Sequence, residues 1–438
     1  MDVGGQAASG GNSAVGGAGT GGVSVGIGGR NPTGGTVGST GGNSPTGGAA
    51  PIGGGNATGG SRPTGGATPI GGDNATGGSR LTGGAAPIGG SNATGGSGPT
   101  GGASPTGGSK ATGGSTAAGG SSGSCSVAPV DPEATLQAKN LLCYLYGIYK
   151  KSVLSGQQET SWASNPAADV NYYNTLVSKY PAVLGGDYLY PSGTTSRAQA
   201  YWNAGGITMI RYHMGAPPNS DTFDNSKLSY SSTQCTNVVT SGTSENTSLN
   251  SKLDYVATEL KTLQSANVPV VLALFHETQQ GGWFWWSKCS SSQFIALYKY
   301  AYNYLVNTKG VHNIVRLMPF SHTPTSSYNP GAAFIDIGGA DEYSDPSTQP
   351  FTSLYNTCSG IFGSTMPIAL HETGTIPQPA NMFPSAAPWL LWNVWAGYYT
   401  GSYSTDSGAT ATFNTDANIR TAYADSHTIT RDEVPNLK

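Results

Sequence analysis

The amino-acid sequence predicts an α/β protein: a single (β/α)8 TIM barrel preceded by a long, disordered segment rich in Gly, Thr and Ser. Three observations support this prediction. The composition changes abruptly near residue 124, short apolar runs alternate with helix-like stretches in the rest of the chain, and polar side chains follow several of these runs at the same end. Parallel strands that alternate with helices close into a barrel when there are eight of them.

Residues 1–124 contain no Phe, Trp or Tyr, six charged residues and 46 of the 67 glycines. An 18-residue period runs through them, because NATGGS begins at Asn56, Asn74 and Asn92. A repeat with so few large apolar residues cannot bury enough surface to offset the entropy of ordering. We therefore predict a disordered, low-complexity Gly-rich linker, which would serve as a spacer or as a tether to a cell surface.

Residues 125–438 contain every aromatic residue, and their length suits one barrel with insertions. They hold 16 basic and 21 acidic residues, a net charge of −5, which argues against nucleic acid or an anionic membrane as a partner. No apolar run is long enough to span a membrane. The hydroxyl-rich composition is typical of a protein that acts on an uncharged polymer, so we expect an extracellular monomer, although no signal peptide is visible at Met1.

The five cysteines show no CxxC spacing, so neither a zinc ribbon nor a thioredoxin-type site is predicted. In an extracellular protein they would form two disulfides and leave one thiol, and the sequence does not determine which residues pair. The cysteines are Cys125, Cys143, Cys235, Cys289 and Cys358.

Eight apolar runs within residues 125–438 are predicted to be strands, with helices between them. Candidate helices include Asn171–Lys179, Ser248–Ser265 and Ser292–Asn307. Pro269 is tolerated at the start of the fourth run, where a strand can lack a donor. The predicted strands are Ser152–Leu154, Ala182–Leu184, Ile207–Tyr212, Val268–Phe275, Ile314–Met318, Phe334–Ile337, Pro367–Leu370 and Trp389–Trp392.

Polar side chains follow five of these runs. The carboxyl ends of barrel strands surround one pocket, so we predict that these side chains share a single site. They are Arg211, Tyr212 and His213 after the third run, His276 and Glu277 after the fourth, Asp341, Glu342 and Tyr343 after the sixth, His371 and Glu372 after the seventh, and Trp392 and Asn393 at the eighth.

Glu277 and Glu372 are the candidate catalytic residues. Glu277 belongs to the segment HETQQGGWFWW, in which four consecutive aromatic residues begin at Trp283. Indole rings stack on the apolar faces of sugars, and a carboxyl among apolar neighbours keeps its proton for the leaving oxygen. Retaining glycoside hydrolysis needs one carboxyl as acid/base and a second as nucleophile. We predict that Glu277 is the acid/base and Glu372 the nucleophile, which accepts a hydrogen bond from Tyr343.

Two other hydrolytic chemistries find no support in the sequence. His276 opens the zinc-binding motif HExxH, but its fifth residue is Gln280, and the same test from His371 ends at Thr375. The motif GxSxG of serine hydrolases occurs only within residues 1–124, with no strand before it. We therefore expect neither a bound metal nor a cofactor.

These motifs resemble glycoside hydrolase family 26, whose characterised members are mostly endo-β-1,4-mannanases. The resemblance covers nearly all of residues 145–400. HETQQGGWFWW resembles the family motif HExxGxWFWW, and ALHETG, from Ala369, resembles the segment that carries the nucleophile. Further segments resemble the family in the same order: VLSGQQ from Val153, YPAVLGGDY from Tyr180, ITMIRYHMGAPPN from Ile207 and ADEYSD from Ala340.

The resemblance implies a (β/α)8 fold and a retaining mechanism, with Glu277 as acid/base and Glu372 as nucleophile. It also implies that Trp283 is a platform on the leaving-group side. Trp392 would be the stacking platform for the scissile sugar, although the eighth strand also offers Trp389 and Trp395. The residues implied to shape the subsite of the scissile sugar are His213, His276, Asp341, Tyr343 and Trp392.

Three positions depart from the family pattern. The spacing from Glu277 to Trp283 is one residue longer than usual, which affects where this platform stands. His371 occupies a position where a smaller residue is common. Asn393 stands where some members have Arg, so contacts to distal sugars are expected to differ.

The predicted function is a secreted, retaining endo-glycosidase that hydrolyses internal β-1,4-mannosidic bonds in mannans, galactomannans and glucomannans. The same family also includes β-1,3-xylanases and mixed-linkage β-glucanases, and only the frequency of mannanases in the family favours the first. A non-catalytic carbohydrate-binding protein is a second class, which the presence of both carboxyls disfavours. In a third class, a structural surface protein, the Gly-rich segment would be the functional part.

Overall fold

The structure is a computed structural model that describes residues 125–190, 192–343, 349–397, 402–404, 410–412 and 414–438. The predicted disordered linker of residues 1–124 lies outside the described residues. Within residues 125–438, the predicted fold class is confirmed, because eight parallel strands close into a barrel. Every described helix falls in the segments that precede, connect or follow these strands.

The barrel consists of strands β2 to β9 in sequence order, each hydrogen-bonded to the next, with β9 paired to β2. A short strand, β1 (Val153–Leu154), precedes them in the chain. The barrel strands are β2 (Gly156–Gln158), β3 (Val183–Asp187), β4 (Ile207–Arg211), β5 (Val270–Ala273), β6 (Ile314–Phe320), β7 (Ile337–Glu342), β8 (Ile368–Thr373) and β9 (Trp392–Val394).

The predicted first strand, Ser152–Leu154, is wrong as a barrel strand. Val153 and Leu154 pair instead with a C-terminal strand outside the barrel, and the barrel begins at Gly156. The true first strand reads Gly-Gln-Gln and has no apolar side chain to reveal it. Its glutamines are buried because they find polar partners: Gln157 accepts a hydrogen bond from the Tyr173 hydroxyl at 2.9 Å.

The predicted sixth and eighth strands overlap the observed strands by one residue each, at Ile337 and Trp392. The β7 sequence after Ile337 is Gly-Gly-Ala-Asp-Glu, which carries no large apolar side chain. Gly338 is needed there because the ring of Phe362 fills the space where a Cβ would stand. The other five predicted strands overlap β3, β4, β5, β6 and β8 by two to five residues each.

Six of the ten described helices begin at a Ser or Thr whose side chain accepts a backbone N–H, and the three predicted helices are confirmed. In the longest helix, α6, the side chain of Thr243 accepts from the Asn246 backbone N–H, and α7 begins with a capping box between Ser290 and Gln293. The helices are α1 (Leu136–Ile148), α2 (Ala168–Val177), α3 (Thr194–Asn203), α4 (Phe223–Ser226), α5 (Ser232–Asn237), α6 (Ser244–Ser265), α7 (Ser291–Asn303), α8 (Thr352–Phe362), α9 (Pro379–Met382) and α10 (Asp416–Ala424).

Shorter elements complete the described fold. A π-turn continues α7 at Tyr304–Thr308, and an antiparallel hairpin is formed by β10 (Ser402–Ser404) and β11 (Thr410–Thr412). Strand β12 (Thr428–Ile429) is the partner of β1. Single 3-10 turns lie at Trp285–Lys288, Ser326–Tyr328 and Arg431–Glu433. Across the described residues, no helix is both long and apolar enough to cross a membrane.

Two disulfides and one thiol account for the five cysteines. Cys125 pairs with Cys143 of α1, and Cys235 of α5 pairs with Cys289, directly before α7. Cys358 is a buried free thiol in α8. The second disulfide therefore ties the segment between β5 and α7 to a neighbouring helix.

Loss of the Cys235–Cys289 disulfide should destabilise the domain strongly. Its closed loop spans 54 residues, for which the chain-entropy relation gives an upper value of about 4 kcal/mol. Guanidinium unfolding of a Cys235→Ser/Cys289→Ser variant under non-oxidising, non-reducing conditions measures the loss. The matched variant Cys125→Ser/Cys143→Ser opens a loop of 18 residues and should lose about 3 kcal/mol. Unchanged stability of the first variant would contradict the prediction.

Candidate active site

Both candidate carboxyls lie at the carboxyl end of the barrel. Glu277 follows β5, the fourth barrel strand, and Glu372 is the fifth residue of β8, the seventh. Their side chains are largely buried, at 6% and 3% exposure. His276, the residue before Glu277, reaches the other carboxyl: its Nε2 lies 3.8 Å from Glu372 Oε1. The two strand ends therefore meet at one site.

Glu372 is held by a cation and a phenol. Arg211 Nε, at the end of β4, lies 2.9 Å from Glu372 Oε1. This is an ion pair without an aligned hydrogen bond, because Arg211 Nε–H points to His371 Nε2 at 3.2 Å. The Tyr343 hydroxyl donates to Glu372 Oε2 at 2.7 Å, as predicted. Burial raises the pKa of Tyr343 well above its ordinary value, so the phenol keeps the proton that it donates.

A buried triad lies beside the nucleophile candidate. Arg211 donates to Nε2 of His371, so the histidine proton is on Nδ1, which donates to Asp341 Oδ1 at 2.9 Å. Asp341 Oδ1 also accepts the backbone N–H of Glu372 at 3.0 Å. Burial lowers the pKa of His371 well below its usual range, and Arg211 and His213 lower it further. His371 is therefore neutral at neutral pH.

Asp341 is the second carboxyl beside Glu372, and its protonation differs. Burial raises the pKa of Asp341 well above its ordinary value, and the neighbouring Glu372 and Glu277 raise it further. Among the described residues, Oδ2 of Asp341 has no hydrogen-bond partner, whereas Oδ1 accepts two. This arrangement suits a neutral carboxyl that carries its proton on Oδ2.

His213 and His276 form a hydrogen-bonded pair. Their Nε2 atoms lie 3.1 Å apart, so one ring donates and the other accepts. Nδ1 of His213 contacts Oδ2 of Asp187, at the end of β3, which fixes the orientation of its ring. Burial alone would raise the pKa of Asp187, but His213 reverses the effect and lowers it. Burial lowers the pKa of His276 well below its usual range, so this fully buried ring is neutral.

Glu277 stands in an unusual backbone conformation. Its φ of +50° lies in the left-handed region, which costs a non-glycine residue about 1–3 kcal/mol. The Ser287 hydroxyl contacts its carbonyl oxygen at 3.5 Å, and Thr278, the next residue, bridges to Phe320 of β6. Such strain persists where surrounding contacts fix it, and functional sites are where it is most often found.

Trp283 remains beside Glu277 despite the longer spacing. Its indole Nε1–H donates to Glu277 Oε2, and its ring is 45% exposed. The extra residue is accommodated by a turn in which Gly281 takes a positive φ of 68°. The platform predicted on the leaving-group side is therefore adjacent to the predicted acid/base.

The three aromatics after Trp283 are core residues. Phe284, Trp285 and Trp286 are each at most 1% exposed. Trp286 Nε1–H donates to the His276 carbonyl at 2.9 Å, so this indole fixes the backbone that carries the site. The aromatic run thus offers one exposed ring for stacking.

Trp392 is wrong as the stacking platform. Its ring is fully buried and packs edge-on against Tyr423 of α10 at 6.3 Å. The alternation of β9 instead turns Asn393 inward, against Gly185. Trp395, just beyond β9, is half-buried, and its ring centroid lies 5.1 Å from Arg211 Cζ and 5.9 Å from the His213 ring. Trp395 is therefore the indole of this strand that borders the site.

Asp341, His371 and Glu372 place three possible metal-ligand atoms within 4.8 Å of one another. These atoms already contact each other, and the Arg211 guanidinium supplies a positive charge at 2.9 Å from Glu372. A second cation would be repelled there. This donor set therefore does not suit a metal. The expectation that the protein binds neither a metal nor a cofactor stays a prediction.

The polar side chains predicted to share one site already included Arg211 and His371, and Trp395 was an alternative to Trp392 as the platform. Asp187 is the residue of the site that the sequence analysis did not name. It ends β3, so it does not stand out without the strand boundary.

Known proteins share this architecture. The sequence profile described as Glycosyl hydrolase family 26 matches residues 130–433. A mannan endo-1,4-beta-mannosidase of Thermothelomyces thermophilus is 29% identical over 321 residues, 69% of this chain and 62% of that protein. A mannan endo-1,4-beta-mannosidase B of Piromyces sp is 26% identical over 322 residues, 70% and 54% of the two chains. This chain thus spans between half and two thirds of the length of these two relatives.

A solved structure agrees with the sequence relatives. The crystal structure of a Podospora anserina GH26-CBM35 beta-(1,4)-mannanase has a TM-score of 0.60 and 26% identity to this chain, and the match covers 71% of this chain and 69% of that chain. The profile match includes every barrel strand and both glutamates. The chain therefore belongs to glycosyl hydrolase family 26.

Proposed function

We propose that this chain is a secreted, retaining endo-β-1,4-mannanase that cleaves mannans, galactomannans and glucomannans. The observation that carries the proposal is the pair of unlike carboxyls: Glu372 ion-paired to Arg211, and Glu277 hydrogen-bonded to an exposed indole. The relatives named mannan endo-1,4-beta-mannosidase support mannan as the substrate. Residues 1–124 would serve as a spacer or a cell-surface tether.

Glu372 acts as the nucleophile in the proposed reaction. The Arg211 guanidinium pairs with Oε1 of Glu372, and the Tyr343 hydroxyl orients the carboxyl through Oε2. The carboxylate attacks the anomeric carbon of the scissile sugar and forms a covalent glycosyl–enzyme intermediate. The neutral Asp341 adds no negative charge beside this carboxylate, while its Oδ1 holds the Glu372 backbone N–H.

Glu277 acts as the acid and then as the base. It gives its proton to the leaving oxygen as the glycosidic bond breaks, and it later takes a proton from the water that hydrolyses the intermediate. The Trp283 N–H donates to Oε2 of Glu277 and so orients this carboxyl. The same indole offers its exposed face to the leaving sugar.

A substrate panel tests the activity itself. Incubation with galactomannan should release reducing ends much faster than incubation with β-1,3-xylan or mixed-linkage barley glucan, because mannan is the substrate supported by the relatives. Faster release from xylan or glucan would keep the carboxyl chemistry and change the substrate. No release from any polymer would refute the enzyme proposal.

Replacing the nucleophile should abolish turnover without unfolding the domain. We expect Glu372→Ala to lower kcat on galactomannan on the order of 10⁴-fold or more, because no covalent intermediate can form. The matched variant Glu133→Ala changes a glutamate that is 76% exposed and should keep the wild-type rate. NMR of the first products by wild-type enzyme should show the retained anomer, and an inverted product would refute the two roles.

Replacing the acid/base should give a different kinetic signature. With Glu277→Ala, an aryl mannoside whose leaving group needs no proton should form the intermediate in a burst and then hydrolyse slowly. Added azide, a nucleophile that needs no base, should restore turnover and yield a β-glycosyl azide. Azide should also restore turnover of the nucleophile variant, Glu372→Ala, but the product should then be an α-glycosyl azide. If each variant gave the product expected of the other, the two roles would be reversed.

The neutral histidines should make stability sensitive to acid. Because burial lowers the pKa of His371 in the folded state, the unfolded chain alone binds this proton below its ordinary pKa of about 6.5. Stability therefore falls as pH drops below that value, by about 1.4 kcal/mol per pH unit for this histidine. Urea unfolding of His371→Asn, which keeps a donor for Asp341, should show a slope smaller by that amount between about pH 5 and 6.

The matched variant for this comparison is His322→Asn, which changes an exposed histidine. It controls for the loss of a histidine at an exposed position of the fold. Equal slopes for wild type and His371→Asn would mean that His371 is charged in the fold. Asp341 affects the pH dependence of stability with the opposite sign, because its raised pKa means that the folded state retains this proton. The test therefore compares the slopes of variants with that of wild type and does not interpret an absolute slope.

A further inference from the structure

We propose that Trp162, together with Tyr190 and Trp395, binds a neutral pyranose unit on the glycone side, one sugar beyond the scissile one toward the non-reducing end. This inference rests on the proposed function, since it extends the same cleft. Trp162 lies in the loop that follows β2, and its ring centroid is 6.1 Å from that of Trp395 and 5.4 Å from that of Tyr190. The three rings form an aromatic surface that begins at Trp395, beside Arg211 and His213.

The barrel order determines the direction of this surface. β5 and β9 are the fourth and eighth of eight strands in a closed ring, so they stand opposite each other. Trp283 follows β5 and contacts the acid/base, which places the leaving sugar on that wall. Trp395 follows β9, and Trp162 follows β2, its neighbour in the ring. A bound polysaccharide therefore lies over Trp283 on its leaving-group side and over Trp395 and Trp162 on its glycone side.

The exposure of the Trp162 indole does not contribute to the stability of the fold. Its side chain is 47% exposed, close to the 45% of Trp283. Of the described tryptophans, only these two belong to the exposed large hydrophobic residues. One lies at each end of the line that runs across the barrel mouth. Exposed indoles at the rim of a polar cleft are the form that carbohydrate platforms take.

The loop that carries Trp162 is fixed by buried polar contacts. Glu159, with only 2% of its side chain exposed, accepts two hydrogen bonds from Arg197, both at 2.7 Å. Ser161, the residue before Trp162, donates to the same carboxylate at 2.8 Å. Thr160 donates to Asp169 of α2 at 2.7 Å. A buried ion pair contributes little net stability, but it fixes geometry, and a pre-ordered platform loses less entropy when sugar binds.

The chemistry of the surface selects the ligand class. The site offers indole and phenol rings, and the acidic groups near it, Glu159 and Asp187, are buried and engaged by Arg197 and His213. Rings of this kind bind the apolar face of an uncharged sugar, and they discriminate poorly among its hydroxyls. The subsite should therefore contribute affinity and chain-length preference, while the choice of mannose depends on contacts nearer the cleaved bond.

The test compares substrates that reach Trp162 with substrates that do not. For Trp162→Ala we expect kcat/KM on mannohexaose to fall about tenfold, equivalent to about 1.4 kcal/mol, with kcat nearly unchanged. An activated aryl mannoside, whose single glycone sugar reaches only Trp395, should be cleaved at the wild-type rate. The main cleavage position of mannohexaose should shift toward the non-reducing end, because the variant holds fewer glycone sugars. Trp162→Phe should recover most of the loss.

Two variants serve as controls. Leu136→Ala changes an exposed residue of α1 and should match wild type throughout. Trp283→Ala should shift mannohexaose cleavage in the opposite direction, since it weakens the leaving-group side. Wild-type kcat/KM and product ratios for Trp162→Ala would overturn the subsite. Thermal unfolding of each variant checks that the fold is retained.

A failure of the proposed function would be recognised separately, as absence of mannan hydrolysis by the wild-type chain. Calorimetric titration of Glu372→Ala, with and without Trp162→Ala, then decides the subsite alone, with mannohexaose, a β-1,3-xylo-oligosaccharide and a mixed-linkage gluco-oligosaccharide as probes. Tenfold weaker binding of any probe by the double variant supports the subsite. Equal affinities, or no binding of any probe, would overturn it.

Discussion

The site depends on one buried cation. The guanidinium of Arg211 is fully buried, and it contacts the Gln158 amide oxygen, His371 Nε2, the Glu372 carboxylate and the ring of Trp395. A charge taken out of water costs several kcal/mol unless partners surround it. These partners come from β2, from β8 and from the end of β9, so the need to satisfy one charge brings several strand ends together around Glu372.

The same cation constrains the protonation of its neighbours. His371 and His276 are buried near the charged Arg211. Burial and the repulsion from Arg211 both lower the pKa of each imidazole, so neither ring becomes a cation. Repulsion between like charges also limits how many of the neighbouring carboxyls are ionised. Asp341 lies beside Glu372 and Glu277, and its raised pKa removes one charge from a cluster that holds three carboxyls. The Arg211 guanidinium lies 2.9 Å from Glu372, which is the carboxyl of this cluster that it pairs with.

Sequence patterns predicted that Glu277 and Glu372 meet at one site because both follow apolar strands, and the carboxyl ends of barrel strands share one rim. They did not locate the first barrel strand, since Gly156–Gln158 is buried through hydrogen bonds rather than through apolar side chains. They also chose the wrong tryptophan. Trp392 and Trp395 differ in role because side chains alternate along a strand, so two residues three positions apart face opposite sides. Which side faces the barrel interior depends on the pairing register of β9 with β2 and β8, which a local pattern does not contain.

Exposure separates two uses of tryptophan that look alike in the sequence. Trp285 and Trp286 adjoin Trp283 in the chain, yet both are fully buried and donate to backbone carbonyls that support the site. Trp283 and Trp162 lie far apart in the chain, yet both are nearly half exposed on opposite sides of the mouth. An exposed indole forgoes the free energy of burial, on the order of 2 kcal/mol for a large side chain. The loop of Trp162 is held by a buried ion pair, yet it leaves the indole exposed. This arrangement favours sugar binding, rather than packing, as the role of the ring.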